Sequence, residues 1–328
     1  MRKFLLLMCV EFALCAGFAE ARGAESTFEQ LAEPTRMAVT VDDLPGPSSV
    51  PLAGASKRKI AREILKALKD NGVPQAYGFA NGLPMERDHH AIDVLKDWLE
   101  AGYPIGNHTY SHLDLNKVTP QAYIADIEKL DKLLATLAPV SSPIAQRRVF
   151  RYPYLDEGDT LAKRDEIRSY LAKNGYRIAE VTIDYFDWAW NAAYDRCEAQ
   201  HDAKSIEWLR EHVADSADSQ LHRSRSLARY LFGRNVPQIL LLHFGAFEAL
   251  TLDATLKDFR KRGVNFVTVD EALSDPAYCI NPDFASPHGM GFLTQVDSAR
   301  KAWPGPQPES RYAVDRIGQI CNGTPPGQ

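Results

Sequence analysis

Five short segments, far apart along the chain, place acids, histidines and an arginine just after apolar runs. They are Asp42-Asp43, His108-Thr109-Tyr110-Ser111-His112, Arg151-Tyr152-Pro153-Tyr154, Asp184-Tyr185-Phe186-Asp187-Trp188, and His243. On a helical turn, two imidazoles four residues apart share a face, with Cβ atoms ~5–6 Å apart. His108 and His112 at that spacing can grip one divalent metal. A carboxylate would be the third ligand and leave a position open for water, the composition of a catalytic zinc centre. One of Asp42 and Asp43 would bind the metal, and the other would address the water, which such an ion acidifies to a pKa of ~7. His243 can protonate a leaving group only if a carboxylate favours its charged form, and Asp187 is the candidate. Arg151 could pin a carboxylate by bidentate hydrogen bonds.

Elements that could gather these residues follow from hydrophobic patterning. Strands are expected at 37–41, 75–79, 104–106, 149–151, 177–183, 238–243 and 265–269, the sixth nearly all apolar, as a buried parallel strand should be. Helices are expected at 56–70, 89–100, 119–137, 160–174, 205–232 and 252–262. In the first, Ile60, Ile64, Leu65 and Leu68 form one stripe that stops at Asn71-Gly72. Strands alternating with helices specify a parallel sheet with helices outside. The sheet could close into a barrel or stay open and doubly wound. The first strand ends without a GxGxxG fingerprint, which favours the barrel. In either fold, ligands bind at the carboxyl ends of the strands, where the five segments lie.

The chain has 328 residues, 38 Lys+Arg against 43 Asp+Glu and a net charge of −5, so it has no basic footprint for nucleic acid. Arg2 and Lys3, the apolar run that follows and Ala19-Glu20-Ala21 read as a signal peptide over 1–21. Export to the periplasm or the extracellular space is therefore expected. Glu11 breaks the run, and no later segment suits a stable membrane span. Cys197, Cys279 and Cys321 remain after cleavage, enough for one bridge, and Cys279–Cys321 is the preferred pair. It would tie down a Pro/Gly-rich extension over 276–328 that packs on a domain at 35–275.

The five segments resemble, in order, the motifs of the polysaccharide deacetylases with the NodB homology domain, carbohydrate esterase family 4. Thr40-Val41-Asp42-Asp43 is similar to its TFDD, and His108 to His112 to its H(S/T)xxH. Arg151-Tyr152-Pro153-Tyr154, Asp187-Trp188 and Leu241-Leu242-His243 resemble the remaining three. Leu44, Tyr152 and Leu155 depart from the family's usual residues, in segments expected to border the substrate groove. The resemblance implies a distorted (β/α)7-type barrel with parallel strands and outer helices. It implies Asp42 as general base, and Asp43, His108 and His112 as ligands of a divalent ion, usually Zn2+, sometimes Co2+ or another. Arg151 would orient Asp42, and His243, tuned by Asp187, would be the general acid. The Tyr154 backbone N–H would hold the oxyanion, and Trp188 and Leu241 would line the acetyl pocket.

The expected activity is removal of N-acetyl groups from an amino-sugar polymer or oligosaccharide, releasing acetate. An O-acetyl esterase acting on xylan or a related glycan, and a non-catalytic carbohydrate-binding protein, are the alternatives. The glycan is the expected partner, and no oligomeric state is implied. Tyr185, Trp188, Trp190 and Tyr194 suit sugar stacking or loop packing equally well. His89, His90, His201, His212, His222 and His288 read as solvated or structural, Arg223-Ser224-Arg225 as a solvated helix face, and Gly289-Met290-Gly291 as uninformative.

Overall fold

The computed structural model describes residues 34–46, 56–137, 148–302 and 312–322, so the expected signal peptide lies outside the described residues. Its strands are β1 (Thr35–Leu44), β2 (Ala76–Ala80), β3 (Ile105–Asn107), β4 (Arg148–Phe150), β5 (Tyr176–Ile178), β6 (Ile183–Asp184), β7 (Gln238–His243) and β8 (Val264–Phe266). All pair in parallel, along the path β5-β4-β3-β2-β1-β7-β6, and β8 joins the first residues of β1. Around them lie α1 (Lys57–Asp70), α2 (Leu83–Arg87), α3 (Ile92–Glu100), α4 (Pro120–Leu134), α5 (Leu161–Lys173), α6 (Asp187–Ala199), α7 (Ala203–Phe232) and α8 (Ala246–Lys261). Three short helices follow among the described residues: α9 (Val269–Leu273), α10 (Phe292–Arg300) and α11 (Val314–Gln319). The seven-strand path inside its helices is the expected distorted (β/α)7-type barrel.

The distortion has a local cause. The single strand expected at 177–183 is two strands at opposite ends of the sheet. Ala179 still donates its N–H to Phe150 beside β4, and Thr182 already donates to Ile239 on β7. The chain itself crosses the gap, so the barrel is closed there covalently and not by a ladder.

Strand alternation sorts β1. Met37, Val39 and Val41 pack in the same core as Ile60, Ile64, Trp98 and Phe247 of the surrounding helices. Ala38 faces the other way, into a smaller core with Tyr77, Phe79, Val149 and Ile239. Thr40 and Asp42 share the parity of Ala38. Helix ends are fixed by side chains accepting backbone N–H groups: Ser56 for α1, Thr119 for α4 (with Pro120 in the first turn), Thr160 for α5 and Asp202 for α7. The expected helix at 89–100 begins as a 3-10 turn, His89–Ala91, before α3.

The expected Cys279–Cys321 bridge is not formed; Cys321 is bonded to Cys197 on α6. Packing decides it. Ile317, Ile320 and Tyr312 sit in the main core with Trp190, Ala193 and Cys197. Arg196 on α6 and Gln200, which caps it, donate to the carbonyls of Gly318, Ile320 and Cys321. Cys279 ends an exposed turn after α9, in a different part of the fold. The tail also carries more helix than its prolines suggest. In α10, Phe292, Leu293 and Val296 pack with Leu227, Ala228 and Val236. Among the described residues, no helix is long and apolar enough to cross a membrane.

Candidate active site

Asp42 inherits its inward direction from β1 and is 2% exposed. Asp43 would point away by alternation, but its left-handed backbone (φ 66°) turns its carboxylate into the same cleft. Arg151, just beyond β4, reaches Asp42. One terminal nitrogen donates to the Asp42 carboxylate at 3.2 and 3.3 Å, the other to Thr40 Oγ1 at 3.0 Å, and Nε to the Ala179 carbonyl at 2.7 Å. The guanidinium also lies over the Phe79 ring, 4.8 Å from its centroid. Burial pushes the Asp42 carboxyl up to about 7 despite the opposing pull of Arg151 and His243.

His108 and His112 do meet, but not on a helix. The segment is an irregular loop in which Thr109 (φ 59°) and His112 (φ 54°) are left-handed. Neighbours hold that shape. Asn81 donates to the carbonyls of His108 and Thr109, Asn107 Oδ1 accepts the Thr109 N–H, and Asp126 accepts the N–H and hydroxyl of Ser111. His108 Nδ1 faces the Arg151 carbonyl at 2.8 Å, the hydrogen bond that leaves Nε2 as a lone-pair donor. That Nε2 is 3.7 Å from Asp43 Oδ1, and His112 Nε2 is 3.3 Å from it. The three ligand atoms lie within 4.8 Å of one another. Burial keeps both imidazoles below their usual range, His108 well below, so both are neutral and fit a divalent cation.

His243 ends β7 beside Asp42, its partner in the ladder. Its Nδ1 is 2.7 Å from Asp187 Oδ1, and its backbone N–H donates to Oδ2. Asp187 is placed by a sharp turn: Phe186 is left-handed (φ 60°) and donates its N–H to Asp184, so α6 begins at Asp187. Burial alone would lower the His243 pKa. The Asp187 carboxylate, helped by Asp43 and Asp42, raises it to about 10. Behind Asp187, the Tyr185 hydroxyl donates to Glu248, an acid that burial and the Asp187 charge push well above its usual range. Sequence patterning gave no signal for Glu248, since it lies within a helix away from every motif.

Tyr154 and Leu155 have left-handed backbones (φ 59° and 56°). The Tyr154 ring meets that of His112 edge-on at 4.4 Å and is largely exposed. Leu155 lines the cleft, whereas Leu44 is fully buried in the core and does not border it. The cleft encloses about 630 Å³ and also exposes Leu241 and Trp188. Of the four aromatics, Trp188 alone is solvent-facing. Trp190 stacks on Trp208 and Phe247, Tyr185 is buried, and Tyr194 packs on Phe247. Two further segments line the cleft: Arg223-Ser224 on α7, expected as a solvated helix face, and Gly289-Met290-Gly291, which carried no sequence signal. At Gly289 the approach explains the residue, because a Cβ would lie 1.7 Å from the Tyr154 carbonyl oxygen.

Residues 31–179 match the profile of the family described as polysaccharide deacetylase. A chitin deacetylase of Arthroderma benhamiae is 25% identical over 213 residues, 65% of this chain and 48% of that protein. A peptidoglycan-N-acetylglucosamine deacetylase of Bacillus cereus is 29% identical over 126 residues, 38% of this chain and 40% of its own. The chain thus spans less than half the length of either curated relative. Among solved structures, a chitin deacetylase from Colletotrichum lindemuthianum shares the fold, with a TM-score of 0.51 at 22% identity over 79% of this chain and 94% of that one. Residues 31–179, a little under half of the chain, are thus similar to the polysaccharide deacetylase family whose motifs the sequence resembles.

Proposed function

We propose that the protein is a divalent-metal-dependent hydrolase that removes N-acetyl groups from an amino-sugar polymer or oligosaccharide and releases acetate. The observation that carries this reading is the Asp43, His108 and His112 trio, flanked by Asp42 on Arg151 and by His243 on Asp187. Those three residues would hold the ion, zinc by ligand type. When bound, such an ion acidifies a water and polarises an amide carbonyl.

The remaining steps belong to the chain. Asp42, oriented by Arg151, takes the proton of the attacking water. The Tyr154 backbone N–H is offered to the carbonyl oxygen as negative charge develops there, a donor of a kind worth ~2.7–4 kcal/mol. Leu241 and Trp188 flank the acetyl group. His243, kept charged by Asp187, gives its proton to the departing nitrogen. An amine leaves poorly without that proton, so a histidine held charged well above neutral pH favours the amide over the O-acetyl ester. Export of the protein to an oxidising compartment is supported by the basic and apolar residues of 1–21 and by the Cys197–Cys321 bridge.

The test is acetate release from N-acetylated and O-acetylated glycans, before and after chelation and after return of zinc or cobalt. Release from the N-acetylated substrate, lost on chelation and restored by metal, is expected. Release from O-acetyl groups alone, or turnover indifferent to chelation, would overturn the assignment.

A further inference from the structure

The turn that carries the Tyr154 N–H is held in place by a distant part of the chain. Pro153–Leu155 is a 3-10 turn just after β4. Hydrogen bonds from the Leu155 N–H to the Tyr152 carbonyl and from the Asp156 N–H to the Pro153 carbonyl, both at 3.1 Å, close it. Neither bond uses the Tyr154 N–H. Tyr154 (φ 59°, ψ 7°) and Leu155 (φ 56°) are left-handed in succession, and neither is a glycine or an asparagine, the residues that suit that conformation. Such a backbone persists only where its surroundings impose it.

The C-terminal extension supplies those surroundings. Gly289 lies flat on the turn: a Cβ there would stand 1.7 Å from the Tyr154 carbonyl oxygen, 2.8 Å from its carbon and 2.9 Å from the carbonyl carbon of Leu155. These are backbone atoms, which cannot swing aside as a side chain can. The residues that follow fasten the contact. Met290 donates its N–H to the Leu155 carbonyl at 3.4 Å, and Phe292 donates to the Val181 carbonyl at 2.7 Å. The buried Gln295 amide donates to the Met290 carbonyl at 2.9 Å and to Glu157 Oε1 at 2.7 Å. One side chain on α10 thus joins the extension to the strand end beyond the turn. Glu157 is itself anchored on α5, where Arg164 and Arg168 meet its other oxygen at 2.9 and 2.6 Å. All of this lies in or against a segment outside residues 31–179, the part matched by the family profile.

A hydrogen-bond donor stabilises developing negative charge best when it is already aimed before the reaction begins. If Tyr154 relaxed to a right-handed or extended backbone, the peptide planes on its two sides would rotate relative to one another, and the N–H would lose its fixed aim. We propose that Gly289 of the C-terminal extension is a positioning residue for deacetylation: its bare backbone, clasped by Gln295, holds the Tyr154–Leu155 turn and so fixes the direction of the Tyr154 N–H. This rests on the deacetylase reading and gives the extension a part in it.

The test compares full-length, zinc-loaded wild type with Gly289→Ala and Gln295→Leu on an N-acetylglucosamine oligosaccharide, with metal content measured on the same samples. Gly289→Ala should keep its zinc and lose kcat by about 10²-fold, the scale of one oxyanion donor. KM should change by less than about threefold, because a group that acts only on developing charge leaves substrate binding alone. Gln295→Leu should lose kcat in the same way by a smaller factor. Crystal structures of both variants should show the Tyr154 turn displaced and the Asp43, His108 and His112 side chains in place. Unchanged kcat, a loss carried by KM, or a turn that keeps its conformation would overturn the proposal. If Gly289→Ala does not fold, Gln295→Leu decides by the same readings. If wild type releases acetate from no N-acetylated glycan, the deacetylase reading fails, and the variant structures still decide whether the extension sets the turn.

Discussion

His243 Nδ1 and Asp187 Oδ1 stand 2.7 Å apart, and the other oxygen of the same carboxylate accepts the His243 backbone N–H. One buried acid therefore sets both the orientation and the charge of the proposed proton donor. Asp187→Asn keeps the size and removes the charge. With that charge gone, burial is opposed only by the weaker pull of Asp43 and Asp42, and the His243 pKa falls from about 10. The alkaline limb of kcat/KM should move to lower pH, and kcat should fall about 10²-fold, within the usual range for a general acid. A pH–rate profile checks this, and an alkaline limb that does not move would exclude Asp187 as the tuning group.

Asp42 must be ionised to act as a base, and burial raises its pKa to about 7. Activity should fall as pH drops through its titration. A cation held by Asp43, His108 and His112 favours the ionised form, so in the metal-loaded enzyme the acid limb should lie below 7. Asp42→Asn should still bind the ion, because the three ligands are intact, and should lose turnover by about 10²–10⁴-fold. Metal content and acetate release on the same sample separate these effects. Substantial remaining turnover would remove Asp42 as base.

Much of this site was legible because its residues sit at strand ends, where a short apolar run followed by acids or histidines marks both the element and its mouth. Other features depend on backbone conformations that residue types do not announce. The left-handed Asp43, Thr109, His112 and Tyr154 replace the expected helical turn with a loop. Helix α6 was hidden because Asp187 and Trp188 read as a motif, although Ala189, Trp190, Ala193 and Cys197 recur at helical spacing. The α7 wall looked solvated because its polar residues face a cleft and not the core. Cysteine pairing is a tertiary property, and a tail whose helix docks on α6 selects Cys197 over the nearer Cys279.

That pairing can be checked directly. Cys197 and Cys321 enclose a loop of 124 residues, and removing such a bridge should cost about 2–5 kcal/mol. Cys321→Ser should unfold at clearly lower denaturant concentration than wild type under oxidising conditions. Cys279→Ser should stay within ~0.5 kcal/mol of wild type, as is usual for surface changes. Adding reductant should bring wild type down to the level of Cys321→Ser. If Cys279→Ser were the destabilised variant, the pairing would be wrong.

Two tryptophans, two residues apart, should fail in different ways. Trp188 is 46% exposed at the cleft, whereas Trp190 is fully buried against Trp208 and Phe247. A sugar ring stacked on Trp188 would gain about 0.5–1.5 kcal/mol beyond simple burial, so Trp188→Ala should raise KM roughly three- to tenfold with little change in unfolding. Trp190→Ala leaves a core void and should cost about 3–5 kcal/mol. Its remaining folded fraction should keep a near-normal KM, because the indole touches the core and not the cleft. Denaturant unfolding and steady-state kinetics on both variants distinguish the roles. A KM effect at Trp190, or a large stability loss at Trp188, would mean that the aromatic cluster binds and packs as one unit.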